Sequence, residues 1–161
     1  MRKTIALVLG CVAATVTAVA QTPATPPAHK VYRPETLVWG EGPPALPKGV
    51  AMTVLSGDPS QPGWFTVRAK MPAGYTIPPH WHPTDEHLTV ISGVLLVGMG
   101  DKLDAAVMEP VPAGGFTVMP AQMRHYARAK EDTILQVHAQ GPFTITYVNP
   151  ADDPRQATAA K

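Results

Sequence analysis

Gly74-Tyr75-Thr76-Ile77-Pro78-Pro79-His80-Trp81-His82-Pro83-Thr84-Asp85-Glu86 places two histidines one residue apart and a carboxylate four residues beyond the second. In an extended strand, residues i and i+2 face the same way, so His80 and His82 present both imidazoles to one point while Trp81 turns away. A turn at Pro83-Thr84-Asp85 brings Glu86 back to that point. Three ligands from so short a segment leave a metal ion half open, and His125, which follows a turn at Pro120, is the natural fourth. Burying three imidazoles and a carboxylate with no metal between them would be costly. Three neutral nitrogens and one carboxylate oxygen suit a divalent transition metal, namely iron, manganese, copper, nickel or zinc, with positions left open for a ligand. The expected cofactor is therefore one such ion per chain on His80, His82, Glu86 and His125.

Outward from this segment, the chain beyond Val31 breaks into short apolar or alternating runs bounded by Gly, Pro, Asp or Asn. The runs are 36–39, 50–55, 64–69, 88–91, 94–99, 116–119, 125–129, 133–137 and 143–148. Ser92-Gly93 reads as a tight hairpin, and 112–115 and 120–122 read as turns. Helical periodicity is missing beyond a possible single turn at 105–108. Nine short strands separated by turn signals predict an antiparallel sandwich or barrel.

This pattern resembles the cupin family. Its first motif is Gly, five residues, His-x-His, three or four residues, Glu, six residues and Gly, and Gly74, His80, His82, Glu86 and Gly93 fill each position. Its second motif is Gly, five residues, Pro, one residue, Gly, two residues, His, three residues and Asn. Gly114, Pro120 and His125 match it, while Gln122 stands for the glycine and Ala129 for the asparagine. The likeness spans roughly 50–148 and implies an all-β fold, a single antiparallel jelly-roll barrel. It also implies one mononuclear metal at the barrel mouth, on the same four ligands. It implies no reaction, because cupins include dioxygenases, isomerases, decarboxylases, lyases, sugar-binding regulators and storage proteins. The stretches PPHWHPTDEH and GPFTITYVNPADDP further resemble small exported single-domain cupins.

Of the 161 residues, 45% are hydrophobic and 16% charged, which fits one folded domain and not a disordered chain. A net charge of +1 with scattered basic residues lacks the electrostatic footprint of a nucleic-acid or anionic-membrane binder. Met1-Arg2-Lys3, the apolar stretch 5–20 and Ala18-Val19-Ala20 before Gln21 read as a cleavable signal peptide, residues 1–20, too short to span a bilayer. The chain is accordingly expected to be exported, to the periplasm or beyond, with no membrane partner in its mature form. Cleavage removes Cys11, the single cysteine, and with it disulfides, thiol nucleophiles and cysteine-bound zinc. Residues 21–30 read as a proline-rich disordered leader, 31–150 as the barrel and 151–161 as a flexible tail.

For the pocket, the sequence nominates Phe116 and Met123 as apolar walls and Gln136 and His138 as inward groups on a late strand. His87, next to Glu86, alternates to the opposite face. Arg124 and Arg128 flank His125 and read as carboxylate binders or as ion-pair partners of Glu131 and Asp132. No nucleophile elbow, phosphate loop or dinucleotide fingerprint is present. Beyond Glu86 there is no obvious acid or base, so catalysis would lean on the metal, with Glu86 doubling as base. The expected function is a metal-dependent oxidoreductase of dioxygenase type acting on a small organic molecule. The alternatives are a non-catalytic module binding a small ligand or metal, and a Lewis-acid isomerase or lyase. Edge strands such as 50–55 would gain from cover, which predicts a homodimer.

Overall fold

Along 63–71, the buried residues Phe65, Val67, Ala69 and Met71 alternate with Thr66, Arg68 and Lys70, none of which is buried. That period of two is what a strand with one wet and one dry face requires. The computed structural model describes residues 28–159, so the expected signal peptide and most of the expected leader lie outside the described residues. The chain divides into Met1–Val31 and a second unit, Tyr32–Lys161, to which all the described regular elements belong. Its strands are β1 (Gly40–Glu41), β2 (Ala51–Ser56), β3 (Gly63–Met71), β4 (Thr76–Trp81), β5 (Glu86–Ser92), β6 (Val94–Met99), β7 (Glu109–Pro112), β8 (Phe116–Met119), β9 (His125–Ala129), β10 (Thr133–Gly141) and β11 (Thr146–Tyr147).

They form two antiparallel sheets, one in the order β1-β2-β3-β10-β5-β8 and one in the order β11-β4-β9-β6-β7. From β3 onward the chain changes sheet at nearly every connection, which is the jelly roll. Inward side chains such as Phe65, Met71, Leu88, Val90, Leu95, Met119 and Leu135 make the core. Each contributes about 1.5–3 kcal/mol by leaving water.

Several local expectations need correction. Ser92-Gly93 is a corner and not a hairpin, because β5 and β6 lie in different sheets. Gly93 makes it with φ 77°, and a Cβ there would stand 2.5 Å from the Asp132 carbonyl oxygen. At 36–39 the chain ends a 3-10 turn, Pro34–Thr36, and the strand comes afterwards as β1. The 143–148 run pairs only at β11. Strands β4 and β7 are missing from the runs read in the sequence, where only the His80–His82 segment is expected to be extended, because each contains two prolines, which cannot donate to a ladder. β7 solves this by sitting at a sheet edge. β4 solves it with a register shift between Ile77 and His80 against β9, while β11 pairs only with His80 and Trp81. The segment read as a tail carries a 3-10 turn, Pro150–Asp152, and a helix, α1 (Pro154–Ala159). Arg155 ties that helix back by donating to the Ile145 carbonyl at 3.1 Å.

Between β1 and β2 the chain runs as a strap held by two buried tyrosines. Tyr75 donates its hydroxyl to the Pro47 carbonyl at 2.6 Å, and Tyr147 donates to the Ala45 carbonyl at 2.7 Å. Burial pushes both phenols above their ordinary pKa. Leu46, between the two anchors, packs against the core.

Candidate metal centre

The irregularity in β4 sets the site. Past the Pro78-Pro79 shift, His80 pairs directly with His125, the first residue of β9, and their ring centroids lie 4.2 Å apart. His82 lies one residue beyond β4, and Glu86 opens β5 in the other sheet. The 82–85 connection is held against the turn that precedes β9. Gln122 donates its backbone N–H to the His82 carbonyl at 2.8 Å, and Ala121 donates to Asp85 Oδ1 at 2.7 Å. The Thr84 hydroxyl donates to the Gln140 carbonyl at 2.8 Å. The turn takes its shape with Gln122 at φ 64°, the left-handed conformation that glycine would adopt freely.

All four side chains are buried, His80 and His125 at 2% exposure. Each imidazole places Nδ1 on a backbone carbonyl: His80 on Pro78 at 2.7 Å, His82 on Thr144 at 2.8 Å and His125 on Met123 at 2.9 Å. A carbonyl only accepts, so Nδ1 carries the proton and in the neutral ring Nε2 keeps its lone pair. One ring nitrogen from each of the three lies within 4.8 Å of the others, an arrangement that could hold a metal ion. His82 Nε2 is buried with no hydrogen-bond partner, the signature of a group whose proper partner is an ion.

Glu86 Oε2 stands 3.5 Å from His82 Nε2 and 3.4 Å from His125 Nε2. These separations exceed the usual N–H···O length. They match the roughly 2.8–3.6 Å expected between two ligands that each bind one ion at about 2.0–2.2 Å. Electrostatics point the same way. Burial, helped by the neighbouring His125 and His82, pushes the His80 pKa down to about 3, and burial also lowers that of His82. Burial would raise the Glu86 pKa, but the neighbouring His125, together with His82 and His80, outweighs it and holds the carboxyl below its ordinary value. The donors are thus two rings held neutral, a third ring with its Nδ1 committed, and an ionised carboxylate, which is a metal-ready set.

The centre lies in the wall of a cavity of about 570 Å³ between the two sheets. Met52, Phe65, Leu88, Leu95 and Val137 line it, with the strap residues Pro43, Ala45 and Leu46 along one side. Phe143 also lines it and stacks on the His82 ring, centroids 4.2 Å apart at 19°. Phe143 and the Thr144 carbonyl were missed by the sequence reading, although both lie in the GPFTITYVNPADDP stretch.

The four residues nominated for the pocket lie outside it. On β10 the inward members are Leu135, Val137 and Ala139, so Gln136 and His138 point to the outer face. There Gln136 accepts from Arg68, and His138 stacks on Trp64 and bonds Thr66. Phe116 is 58% exposed, edge-on to His87, and Met123 is 39% exposed. Their counterpart Met119 is the inward methionine and does line the cavity. His87 lies on the outer face, directly across from His138. Arg124 pairs with Asp101 at 2.6 Å rather than with Glu131 or Asp132, and Arg128 donates to Thr76.

Residues 27–144 match the family described as the ChrR cupin-like domain. Among solved structures, the polyketide cyclase RemF from Streptomyces resistomycificus superposes with a TM-score of 0.63 at 17% identity, covering 82% of this chain and 94% of its own. A candidate acetylacetone dioxygenase from Methylibium petroleiphilum PM1 gives 0.62 at 20% identity, covering 86% and 98%. An RmlC-like cupin from Shewanella frigidimarina gives 0.54 at 15% identity, covering 70% and 91%. At these identities the likeness is one of fold. No curated protein matches the chain in sequence.

Proposed function

The chain belongs to the ChrR cupin-like domain family, and on that premise we propose that it is a metal-dependent oxidoreductase of dioxygenase type acting on a small organic molecule. The ion would be a divalent transition metal on His80, His82 and His125, with Glu86 as fourth ligand. The observation that carries this reading is the anchoring of three Nδ1 atoms on backbone carbonyls, which aims three imidazoles at one buried point. When bound, such an ion supplies Lewis acidity and, if redox-active, a path for electrons to dioxygen.

The protein's own residues do the rest. The carbonyls of Pro78, Thr144 and Met123 fix tautomer and ring orientation before any ligand arrives. Glu86, ionised by its surroundings, can accept a proton from a substrate at the cavity's polar end. The field that keeps it ionised also makes it a weak base, so a substrate it serves must carry an acidic C–H or O–H. The apolar walls exclude water from that exchange.

Outside the metal centre, the ionisable side chains among the described cavity residues are Glu41, on the exposed strand β1, and Arg155, held by Asp153, and their distance from catalytic duty also supports a second reading, Lewis-acid isomerisation or lyase chemistry without dioxygen. Metal analysis by plasma mass spectrometry of protein 21–161, beside His125→Ala, is the first test. Near-stoichiometric metal lost in the variant supports the site, and its absence from both proteins overturns it. Oxygen uptake in step with substrate loss supports the dioxygenase, while full turnover without oxygen shifts the reading to the second chemistry.

Two further points belong to the proposal. The basic start, apolar stretch and Ala18-Val19-Ala20 support export to the periplasm or beyond. β1 pairs with only Ala51 and Met52 of β2, which leaves strand edge for a second copy to cover and supports a homodimer.

A further inference from the structure

Protein interiors pack like organic crystals, and voids larger than a water molecule are few. A retained apolar space of about 570 Å³ therefore calls for an occupant, and its size falls within the range of small-molecule sites. The chemistry of its lining selects that occupant. Among the described residues that line it, the side chains with formal charge are Glu86 at the metal centre, Glu41 on the exposed strand β1 and Arg155 on α1. Arg155 is already committed: its guanidinium holds both carboxylate oxygens of Asp153 at 2.7 Å and the Ile145 carbonyl at 3.1 Å. The uncharged polar side chains, Thr53, Ser60 and Thr144, are exposed or half-buried, and none is in the buried wall. Among the described residues, no side chain in the buried body of the cavity thus offers a hydrogen bond away from the metal centre.

We propose that the natural ligand is an uncharged, largely apolar molecule with a single oxygen-bearing end, lying along the Leu88, Leu95 and Val137 wall with that end at His80, His82 and His125. The inference rests on the proposed metal site only for the placing of the polar end. A sugar would strand its hydroxyls against hydrocarbon, and an ionised acid whose carboxylate lay in the apolar body would sit there without a counter-charge. Both pay for lost hydration with nothing in return. An uncharged ketone, phenol or enol of the same length buries its chain and keeps one oxygen at the polar end.

The test uses the uncharged fluorophore N-phenyl-1-naphthylamine and its displacement by 2-nonanone, nonanoate and glucose, in metal-free protein, in metal-loaded protein and in His125→Ala. The expected result in metal-free protein is fluorophore binding, displacement by 2-nonanone at least ten-fold more effective than by nonanoate, and no displacement by glucose. Val137→Phe should weaken fluorophore binding at least ten-fold, and Leu88→Phe serves the same end from the other side should the first variant fail to fold. Gln136→Ala, on the outer face, should leave binding unchanged. Equal displacement by nonanoate or glucose in metal-free protein, or binding that survives both phenylalanine variants, overturns the proposal. Failure of the metal reading is distinguishable, because it shows as missing metal in the wild type while fluorophore binding persists.

Discussion

His80 and His125 face each other across the β4–β9 pair, and each anchors its Nδ1 on the carbonyl two residues before it, Pro78 for one and Met123 for the other. The same local device, used twice on neighbouring strands, leaves both Nε2 atoms aimed inward. Replacing either ring by alanine removes a donor whose place no neighbour can take. Metal content is expected to fall from near one ion per chain to below a tenth in His80→Ala and His125→Ala, measured by plasma mass spectrometry. His138→Ala and Phe116→Ala, on the outer face, should retain it. Full metal in either of the first two variants would contradict the ligand assignment.

Acid should destabilise the metal-free protein in a definite window. The His80 pKa is about 3 when folded and 6.5 when unfolded, so below pH 6.5 the unfolded chain takes up a proton that the folded one refuses. Stability is then lost as pH falls, by up to about 1.4 kcal/mol per pH unit for one such group. His82, shifted in the same direction, adds to the slope. Glu86, also lowered, extends the loss below its ordinary pKa of 4.5. Urea unfolding of chelated protein from pH 8 to pH 4.5 should be flat above pH 7 and fall below it. Saturating metal should raise the whole curve without flattening it, because it binds only the folded site and leaves the unfolded chain's proton uptake unchanged. A flat profile down to pH 5 without metal would rule this out.

Gln122 is the one non-glycine residue with positive φ among those described. Its backbone N–H also holds the His82 carbonyl, so the strain is borne where the centre is assembled. Gln122→Gly should raise unfolding free energy by about 0.5–1 kcal/mol, with metal content unchanged. A loss of stability would show that the Gln side chain contributes more than the backbone strain costs.

The strap over the cavity hangs on two phenol hydroxyls. Tyr75→Phe and Tyr147→Phe each remove one buried hydrogen bond, at a cost of about 0.5–1.5 kcal/mol. Hydrogen exchange at the amides of Ala45, Leu46 and Lys48 should quicken in both variants, with exchange in β9 unaltered. Unchanged exchange in the strap would mean that Leu46 packing alone secures it.

Much of the centre was legible because its determinants are local. His-x-His, the turn to Glu86 and a histidine after Pro120 state which side chains are present and how far apart along the chain they lie, and the likeness to cupin motifs rests on that spacing. The strand rhythm was legible for the same reason, since apolar alternation is a property of neighbours. It broke where proline stands in β4 and β7, because local propensity forbids what a bulge and a sheet edge permit.

The pocket was not legible. Gln136 and His138 share one face of β10, as expected, but it is the outer one, and a slip of one residue exchanges the two faces of a strand completely. Which face is buried follows from what the opposite sheet presents, and that is settled by pairings such as His138 with Thr66 and with His87, far apart in the chain. The sequence by itself therefore determined the candidate donors and most of the strand rhythm, because those depend on chemistry within a few residues. Only the tertiary structure decided that Phe143 stacks on His82, that the Thr144 carbonyl orients it, and that apolar side chains line the body of the cavity. Those depend on which segments meet when two sheets close over one another.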